Sequence, residues 1–307
     1  MTIPQKLKLI KQYSGLTQEK LAEQLAVSFA TLNSWINGRS LPHPAKQKKV
    51  DELYAQYSGT RIIPKTVLQA KKELVLKKSR GQKNILSGIL NNPDIYDQLV
   101  LSLTYNTNRL EGSTLTESDT AAILFANASL PNKSLTEQLE AKNHQTALKY
   151  LFDYLKSGKT INEELILRLH AILLNSILSD AGIYRSHGVR IVGANVPTAN
   201  YLKVPELMKK LFKDINGRRK DIIAKTADIH SRFEQIHPFS DGNGRIGRLL
   251  IQAMLLENNF PPAMILQKNK QFYMRYLNKS QQTGDSSLLE DFLCDAILAG
   301  IDIIERK

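Results

Sequence analysis

Cysteine is almost absent from this chain, because Cys294 is the only one among 307 residues. A disulfide within the chain and a cysteine-rich zinc site are therefore excluded. Long apolar runs are also missing, since no window approaches the ~20 uncharged residues that a membrane-spanning helix needs. The first residues lack the continuous apolar core and the small-residue cleavage site of a signal peptide. Together these absences predict a cytoplasmic globular protein.

Acidic residues are scarce at the N-terminal end. Residues 1–80 contain 15 Lys and Arg but 5 Asp and Glu, a net charge of +10, so only +3 of the total of +13 belongs to residues 81–307. Positive charge concentrated in one module favours a polyanionic partner, with DNA first. The alternative is a solvated basic face that aids solubility.

Residues 1–59 show the pattern of several short helices. Thr17 and Ser28 are predicted to cap two of them, and Asn37–Gly38 ends the second. The stretch LTQEKLAEQLAVSFATLNSWINGRSLP resembles the helix-turn-helix of phage-repressor-like regulators. That resemblance implies that double-stranded DNA is contacted by Ser28, Thr31, Asn33, Ser34 and Arg39. The alternative is a small helical domain used for protein contacts. Because helix-turn-helix modules often pair on two-fold DNA sites, the resemblance also implies a homodimer.

The rest of the chain is predicted to be almost entirely helical. Residues 60–82 are interpreted as a basic linker that is helical in part, with Leu68, Leu74 and Leu76 available for packing. Apolar residues then recur at helical spacing through 83–307, which predicts an all-α domain. Capping boxes are expected at Ser134 and Thr160. Helices are predicted at 97–110, 134–155, 160–178, 205–213, 220–236, 244–258 and 286–304.

One segment, residues 183–204, departs from the helical pattern. Val189, Ile191, Tyr201 and Val204 favour strands, and Gly193–Asn195 favours a turn between them. The prediction is a single β-hairpin in an otherwise helical body. An isolated hairpin is only marginally stable, so it must pack against the helices or carry function.

The residues HPFSDGNGRIGR, at 237–248, combine groups that suit a polyphosphate. Pro238 ends the preceding helix. Gly242 and Gly244 let backbone N–H groups face outward, and the helix that starts near Gly244 favours an anion at its N-terminus. Arg245 and Arg248 lie three residues apart on one side of its first turn. There is no Gly-Lys-Ser/Thr, so this is not a Walker A loop.

Two residues of the same stretch can do chemistry on a bound phosphate. Asp241 can hold a divalent cation that bridges phosphate oxygens. His237, as a neutral imidazole, can take a proton from a hydroxyl that attacks phosphorus. A lone histidine is more often structural, but here an acid, glycines and two arginines surround it.

These twelve residues match the Fic-family signature, His-Pro-Phe-x-Asp/Glu-Gly-Asn-Gly-Arg-x-x-Arg, at every fixed position. ADIHSRFEQIHPF and GIYRSHGVRIVGANVP also resemble that family's lead-in helix and flap hairpin, and the resemblance extends over about residues 95–300. It implies a Fic-type helical bundle that transfers AMP from ATP, with Mg²⁺, to a Ser, Thr or Tyr hydroxyl of a target protein.

The resemblance also implies a role for each matching residue. His237 deprotonates the target hydroxyl, and Asp241 holds Mg²⁺ between the α- and β-phosphates. The anion hole and the outer phosphate contacts fall to Gly242, Asn243, Gly244, Arg245 and Arg248. The hairpin, at Val192 and Gly193, aligns the target's chain by strand addition. Tyr273 either stacks on the adenine or is a core tyrosine.

A second motif, TNRLEG at 107–112, fits the Ser/Thr-x-x-x-Glu-Gly/Asn inhibitory pattern of Fic proteins. Thr107, Glu111 and Gly112 fill its fixed positions. The resemblance implies that Glu111 pairs with Arg248 in place of the γ-phosphate of ATP. The alternative is an exposed glutamate before a glycine that ends a helix.

The sequence therefore predicts a protein adenylyltransferase held inactive by Glu111. One alternative uses the same site to hydrolyse AMP from a modified target. Another is a DNA-binding transcriptional regulator whose Fic domain only senses nucleotide.

Overall fold

The computed structural model describes residues 1–81, 84–190 and 196–305. The predicted all-α fold is confirmed, since these residues form fifteen α-helices, two short 3₁₀ turns and no strand. The first eight helices are α1 Ile3–Ser14, α2 Gln18–Leu25, α3 Phe29–Ile36, α4 Pro44–Ser58, α5 Lys65–Arg80, α6 Ile85–Leu90, α7 Pro93–Glu111 and α8 Glu117–Phe125. The others are α9 Leu135–Lys156, α10 Glu163–Leu173, α11 Val204–Asn216, α12 Ile222–Ile236, α13 Asn243–Glu257, α14 Lys270–Thr283 and α15 Ser287–Ile304.

Helices α1–α4 form a small unit with its own apolar core. Thr17 and Ser28 cap α2 and α3 as predicted, each accepting a hydrogen bond from the backbone N–H three residues later. The core contains Leu7, Ile10, Leu21, Leu32 and Trp35. Short helices of this kind are stable mainly because an apolar face is buried by its neighbours.

This N-terminal unit packs directly on α14. The rings of Tyr57 and Phe272 lie 4.6 Å apart between centroids. The guanidinium of Arg275 lies 4.2 Å from the ring centroid of Tyr13, a cation–π distance. Phe272 and Arg275 belong to α14, so that helix joins the N-terminal unit to the rest of the chain.

Most of the segment interpreted as a linker is helix α5, which is packed against α15. Leu68 and Val75 are buried, whereas Leu74 is 45% exposed. Lys71 and Lys72 pair with carboxylates of α15, Asp291 and Glu290. Lys71 and Lys72, which the sequence analysis assigned to a basic linker, thus bond acidic residues about 220 positions away in sequence.

Two apolar cores make up the remainder of the chain. One lies among α7, α9, α10, α11, α12 and α13, and includes Phe152, Phe233 and Phe239. The other surrounds α14 and α15 and includes Tyr273 and Leu289. Helices α12 and α13 are in contact and contribute to both cores, which fixes the loop between them.

The two predicted capping boxes are wrong. Ser134 makes no side-chain cap, and the Glu137 carboxylate instead accepts hydrogen bonds from the backbone and hydroxyl of Thr114. The N-cap of α10 lies two residues later than predicted, because Asn162 rather than Thr160 accepts a hydrogen bond from Leu165 N–H at 2.9 Å. Asparagine is among the best N-caps, so it outcompetes the earlier threonine.

The predicted hairpin is not seen in the parts of 183–204 that the structure describes. Residues 183–190 and 196–200 contain no strand, and Tyr201–Lys203 form a 3₁₀ turn before α11 starts at Val204. The Asn200 side chain caps that turn and Pro205 suits a first helical turn, so local capping overrides the strand-like pattern. Ile191, Val192, Gly193, and the rest of the predicted turn lie outside the described residues.

None of the helices in the described ranges is both long enough and apolar enough to cross a lipid bilayer.

Candidate active site

His237 is held at the junction of α12 and the following loop. Its backbone N–H bonds Phe233 O at 2.9 Å, and its φ of 51° ends α12 in the left-handed region. The ring Nδ1 lies 3.3 Å from Glu234 O. Since a carbonyl can only accept, Nδ1 carries the proton and Nε2 keeps a lone pair. Burial lowers the pKa of His237, which favours the neutral ring.

The loop after His237 is fastened by the side chain of Asn243, a residue predicted for the anion hole. Asn243 Oδ1 accepts from Phe239 N–H at 2.9 Å, and its Nδ2 donates to Phe239 O at 2.8 Å. The Phe239 ring stacks on His170 with 3.8 Å between centroids. His170 accepts from Gly182 N–H at Nδ1, so its Nε2–H donates to Asp241 O at 3.0 Å. His170 was not identified from the sequence, since only the fold brings α10 to this loop.

The start of α13 has the backbone geometry that the predicted anion site requires. Gly242 has a φ of +76°, and Ile246 N–H is the first to bond back, to Gly242 O at 3.0 Å. The N–H groups before it have no acceptor within the helix and carry the positive end of its dipole. A Cβ added at Gly244 would lie 2.5 Å from Glu111 Oε1. Glycine at position 244 therefore leaves room for the Glu111 carboxylate at the N-terminus of α13.

Arg248 is clamped by the predicted inhibitory motif. Its Nε donates to Thr107 Oγ1 at 2.7 Å, and its Nη2 donates to Glu111 Oε1 at 2.5 Å. Gly112 follows in the left-handed region and ends α7. Although desolvation opposes ionisation of Glu111, the charge and hydrogen bond of Arg248 hold its pKa below the ordinary value. The predicted contact between Glu111 and Arg248 is therefore present, between ionised groups.

Arg245, the other signature arginine, has a different environment. Its Nη1 donates to Glu140 Oε1 of α9 at 2.6 Å, and its Nη2 lies 3.4 Å from Asp241 Oδ2. Its side chain is 3% exposed. The structure thus places Arg245 between a helix carboxylate and the loop, where it orients Asp241. Glu140 gave no sequence signal, because its pairing depends on the packing of α9 on α13.

The cleft at the mouth of α13 brings together residues from four helices. Its lining comprises Leu110, Glu111, Glu234, His237, Gly244, Arg248, Lys270, Tyr273, Met274, Leu277, Asn278 and Gln281. Tyr273 is 1% exposed, and its hydroxyl lies 2.7 Å from His230 Nε2. That position fits the core-tyrosine alternative. Glu234 and Lys270, both in the cleft, were missed by the sequence analysis.

Glu234 is an unusual member of this cleft. Glu234 is 6% exposed, and its buried Oε1 has no hydrogen-bond partner among the residues described. Burial raises the pKa of Glu234 to about 8. The group is therefore mostly protonated at neutral pH and adds little negative charge beside the Arg248 guanidinium.

Asp241 is the one signature residue suited to a cation. Its side chain is 65% exposed, and its Oδ1 accepts from Gly242 N–H at 2.7 Å. No group of three or more His, Cys, Asp or Glu in the described part of the chain could hold a metal by itself. Mg²⁺ is commonly bound by one or two carboxylates together with substrate phosphates and water. A single exposed carboxylate beside an anion site fits that mode.

The predicted DNA contacts lie on the surface around α3. Most of their side chains already make local bonds: Ser28 Oγ to Thr31 Oγ1 at 2.8 Å, Ser34 Oγ to Ser40 Oγ at 2.7 Å, and Asn33 to Asn37 at 2.9 Å. Arg39 is exposed. The five predicted DNA contacts thus lie near one another around α3. In sequence they are about 200 residues before the cleft at α13.

Comparisons with known proteins cover the part of this cleft that contains Glu234, His237, Gly244 and Arg248. Residues 160–255 match the Fic/DOC family. A "Protein adenylyltransferase Fic" from Nematostella vectensis is 34% identical over 193 residues, which are 59% of this chain and 43% of that protein. A protein of the same name from Drosophila melanogaster is 28% identical over 65% of this chain and 41% of its own length. The chain thus spans less than half the length of these curated relatives.

A solved structure supports the fold independently. Fic-1 from C. elegans superposes with a TM-score of 0.68 at 22% identity, covering 99% of this chain and 88% of that one. At this identity the likeness shows a shared helical fold. These similarities are to Fic proteins, and they give no support to a helix-turn-helix or to DNA binding at the N-terminal end.

Proposed function

We propose that this chain, whose residues 160–255 match the Fic/DOC family, is a protein adenylyltransferase that Glu111 holds inactive. The observation that carries the proposal is the Glu111–Arg248 pair at the mouth of α13, in the same cleft as His237. A base, an anion site and a carboxylate that blocks the anion site share one cavity. ATP is the nucleotide, and a protein hydroxyl is the acceptor.

The reaction moves AMP between two oxygens. The hydroxyl oxygen of the target bonds to the α-phosphorus of ATP, the bond from that phosphorus to the bridging oxygen breaks, and pyrophosphate leaves. His237 Nε2 accepts the hydroxyl proton, since Nδ1 is turned to Glu234 O. The N–H groups that begin α13 and the guanidinium of Arg248 stabilise the negative charge that spreads over the phosphate oxygens.

Asp241 would hold Mg²⁺, which neutralises charge on the phosphates. Arg245 and Glu140 keep the Asp241 side chain in place through their chain of ionic contacts. His170 fixes the Asp241 backbone from the other side. Residues 186–190 and 196–200 flank the end of α12 that carries His237, and we propose that they lie along the target's chain.

Glu111 inhibits AMP transfer because its carboxylate pairs with the Arg248 guanidinium, the cation that would bind the γ-phosphate of ATP. Its Oε1 lies against both Arg248 Nη2 and the Cα side of Gly244. A triphosphate in productive alignment would place a second anion there, so either the carboxylate or the phosphate must move. Removing the carboxylate therefore releases the site.

The test uses the purified full chain with labelled ATP and Mg²⁺. Glu111→Gly should raise labelled AMP incorporation at least tenfold over the unchanged protein, and adding His237→Ala should abolish the gain. Glu117→Gly, at an exposed glutamate six residues away, is the matched control and should change nothing. Unchanged incorporation in Glu111→Gly despite normal ATP binding would refute inhibition by Glu111, and transfer that survives His237→Ala would refute the base.

A second activity, hydrolytic removal of AMP, is favoured by the ionised state of Glu111. A carboxylate in the same cleft as His237 can orient a water toward the phosphorus of a modified hydroxyl. A target modified beforehand should then lose its AMP with the unchanged protein and keep it with Glu111→Gly. Loss at equal rates with both proteins would contradict this activity.

For residues 1–59, whose eight Lys and Arg and four Asp and Glu give a net charge of +4, we keep DNA as the proposed partner, on that charge and the exposure of Arg39. Binding to duplex DNA should weaken steeply as salt rises, because counterions are released. Lys and Arg of α1–α4 would supply that dependence. Retention of the fold together with no salt-dependent gel shift on any duplex library would leave the module as a protein-contact domain. A cytoplasmic location is part of the same proposal.

A further inference from the structure

Arg185 is a buried cation whose hydrogen-bond partners are all backbone carbonyls. Its Nε donates to His237 O at 2.7 Å, and its Nη1 donates to His187 O at 2.7 Å. Its Nη2 donates to Ala199 O at 2.5 Å and to Ile236 O at 3.3 Å. The residue is 3% exposed, and no carboxylate of the described residues pairs with it. Such a group is neither a surface charge nor half of an ion pair.

Three pieces of chain meet at this guanidinium. One is the end of α12, at Ile236 and His237. The others are the two described ends of the segment beside the cleft, at His187 and at Ala199. Two backbone bonds reinforce the meeting point: Arg185 N–H donates to Pro238 O at 2.9 Å, and Ala199 N–H donates to Gln235 O at 3.2 Å.

The end of α12 needs such a donor. The last carbonyls of a helix have no partner within it and carry the negative end of its dipole, so a cation there is stabilising. His237 adopts the left-handed region, which non-glycine residues rarely populate and which persists only where the surroundings impose it. Arg185 holds the carbonyl of that very residue.

The shape of the side chain matters as much as its charge. A guanidinium is planar and presents donors in fixed, diverging directions, whereas a lysine ammonium is a compact point charge. Arginine can therefore bond the α12 end and both flanking segments at once. A lysine at position 185 could donate to fewer of the four carbonyls. It would therefore not bond the end of α12, His187 and Ala199 at the same time.

We propose that Arg185 is a positioning residue that fixes the distance from His237 to both His187 and Ala199, so that an acceptor protein's hydroxyl is presented to His237 Nε2. This inference rests on the proposed function of the same cleft. It predicts that Arg185 acts on transfer to protein far more than on attack by water, because water needs the base but no aligned chain.

The test compares two reactions of one protein, the full chain with Glu111→Gly. Labelled AMP incorporation into the protein itself measures attack by a protein hydroxyl, and release of free AMP measures attack by water, with pyrophosphate leaving in both. Arg185→Lys should lower incorporation at least tenfold, lower free AMP release less than threefold, and leave the affinity for a non-hydrolysable ATP analogue within twofold. Arg168→Lys, on the exposed face of α10, is the matched control and should change neither reaction.

Hydrogen exchange provides a readout that does not depend on turnover. Arg185→Lys should speed amide exchange at Ala199, whose N–H bonds Gln235 O, while α13 keeps its protection. Arg185→Met, which also removes the charge, should show a larger increase at the same place. Equal loss of both reactions, or increased exchange throughout α12 and α13, would overturn the proposal in favour of general support of the fold.

The two proposals fail in different ways. Glu111→Gly without any AMP transfer would refute the proposed function and leave the exchange measurement to decide whether Arg185 ties the segments. Normal transfer in Arg185→Lys, with Glu111→Gly active, would refute only the role of Arg185.

Discussion

Nη2 of Arg248 lies 2.5 Å from Oε1 of Glu111, across 137 residues of sequence. The arginine belongs to the first turns of α13 and the glutamate to the last turn of α7, so the pair joins two helices at the mouth of the cleft. The Arg248 side chain is 7% exposed and that of Glu111 is 39% exposed. A nucleotide can therefore reach the glutamate from solvent and compete for the arginine.

The charge and the volume of Glu111 should contribute separately to inhibition. Glu111→Gln keeps the volume near Gly244 but removes the charge that pairs with Arg248. We expect AMP incorporation above that of the unchanged protein but several-fold below that of Glu111→Gly. Incorporation by Glu111→Gln equal to that of the unchanged protein would show that volume alone inhibits, and equality with Glu111→Gly would show that charge alone does.

The activity of the Glu111→Gly protein should persist to unusually low pH. A general base must be neutral, and burial holds the pKa of His237 below its ordinary value. The rate should thus stay level as pH falls through the usual histidine range near ~6.5 and decline only below it. Glu111 itself raises the pKa of His237, so its removal moves the decline further down. A pH–rate profile of kcat that declines at or above ~6.5 would contradict this assignment.

Glu234 should make the protein lose stability as pH rises. Its pKa is raised to about 8 in the folded state, so the native chain binds more protons than the unfolded one between its ordinary value and 8. Unfolding free energy must then fall with rising pH across that window. Glu234→Gln mimics the protonated form at every pH. The fall in unfolding free energy between pH 5 and 8 should therefore be smaller in this variant by on the order of 2 kcal/mol. Denaturant titrations at pH 5 and 8 measure it, with exposed Glu117→Gln as the control.

Docking of the N-terminal unit on α14 should depend on one aromatic contact. Phe272→Ala removes the ring that packs on Tyr57 and should cost about 1–3 kcal/mol, less than a fully buried phenylalanine. Limited proteolysis should then cut faster between α4 and α5, at residues 59–64. Phe125→Ala, at a ring 43% exposed to solvent, is the control. Unchanged cleavage in Phe272→Ala would mean that the cation–π contact of Arg275 is sufficient.

The elements that local rules govern could be predicted from the sequence. Thr17 and Ser28 cap their helices as expected, and Pro238 follows the end of α12 as expected. The strand-like pattern near Tyr201 misled, because alternation over a few residues is weaker than an asparagine cap followed by a proline. For residues 60–82, the sequence indicated that Leu68 could pack, and Leu68 is buried in α5. The acidic partners of Lys71 and Lys72 on α15, however, cannot be located without the fold.

The amino-acid order alone determined the helical class, the glycine-rich turn with its base and arginines, and the motif that supplies Glu111. These depend on neighbours within a few residues, where backbone sterics and hydrogen bonding act directly. Only the tertiary structure decided that Arg245 bonds Glu140, that His170 supports Asp241, and that Arg185 joins three segments at His237. Each of those contacts links positions 52 to 105 residues apart. Packing of whole helices, not local preference, sets which side chains meet.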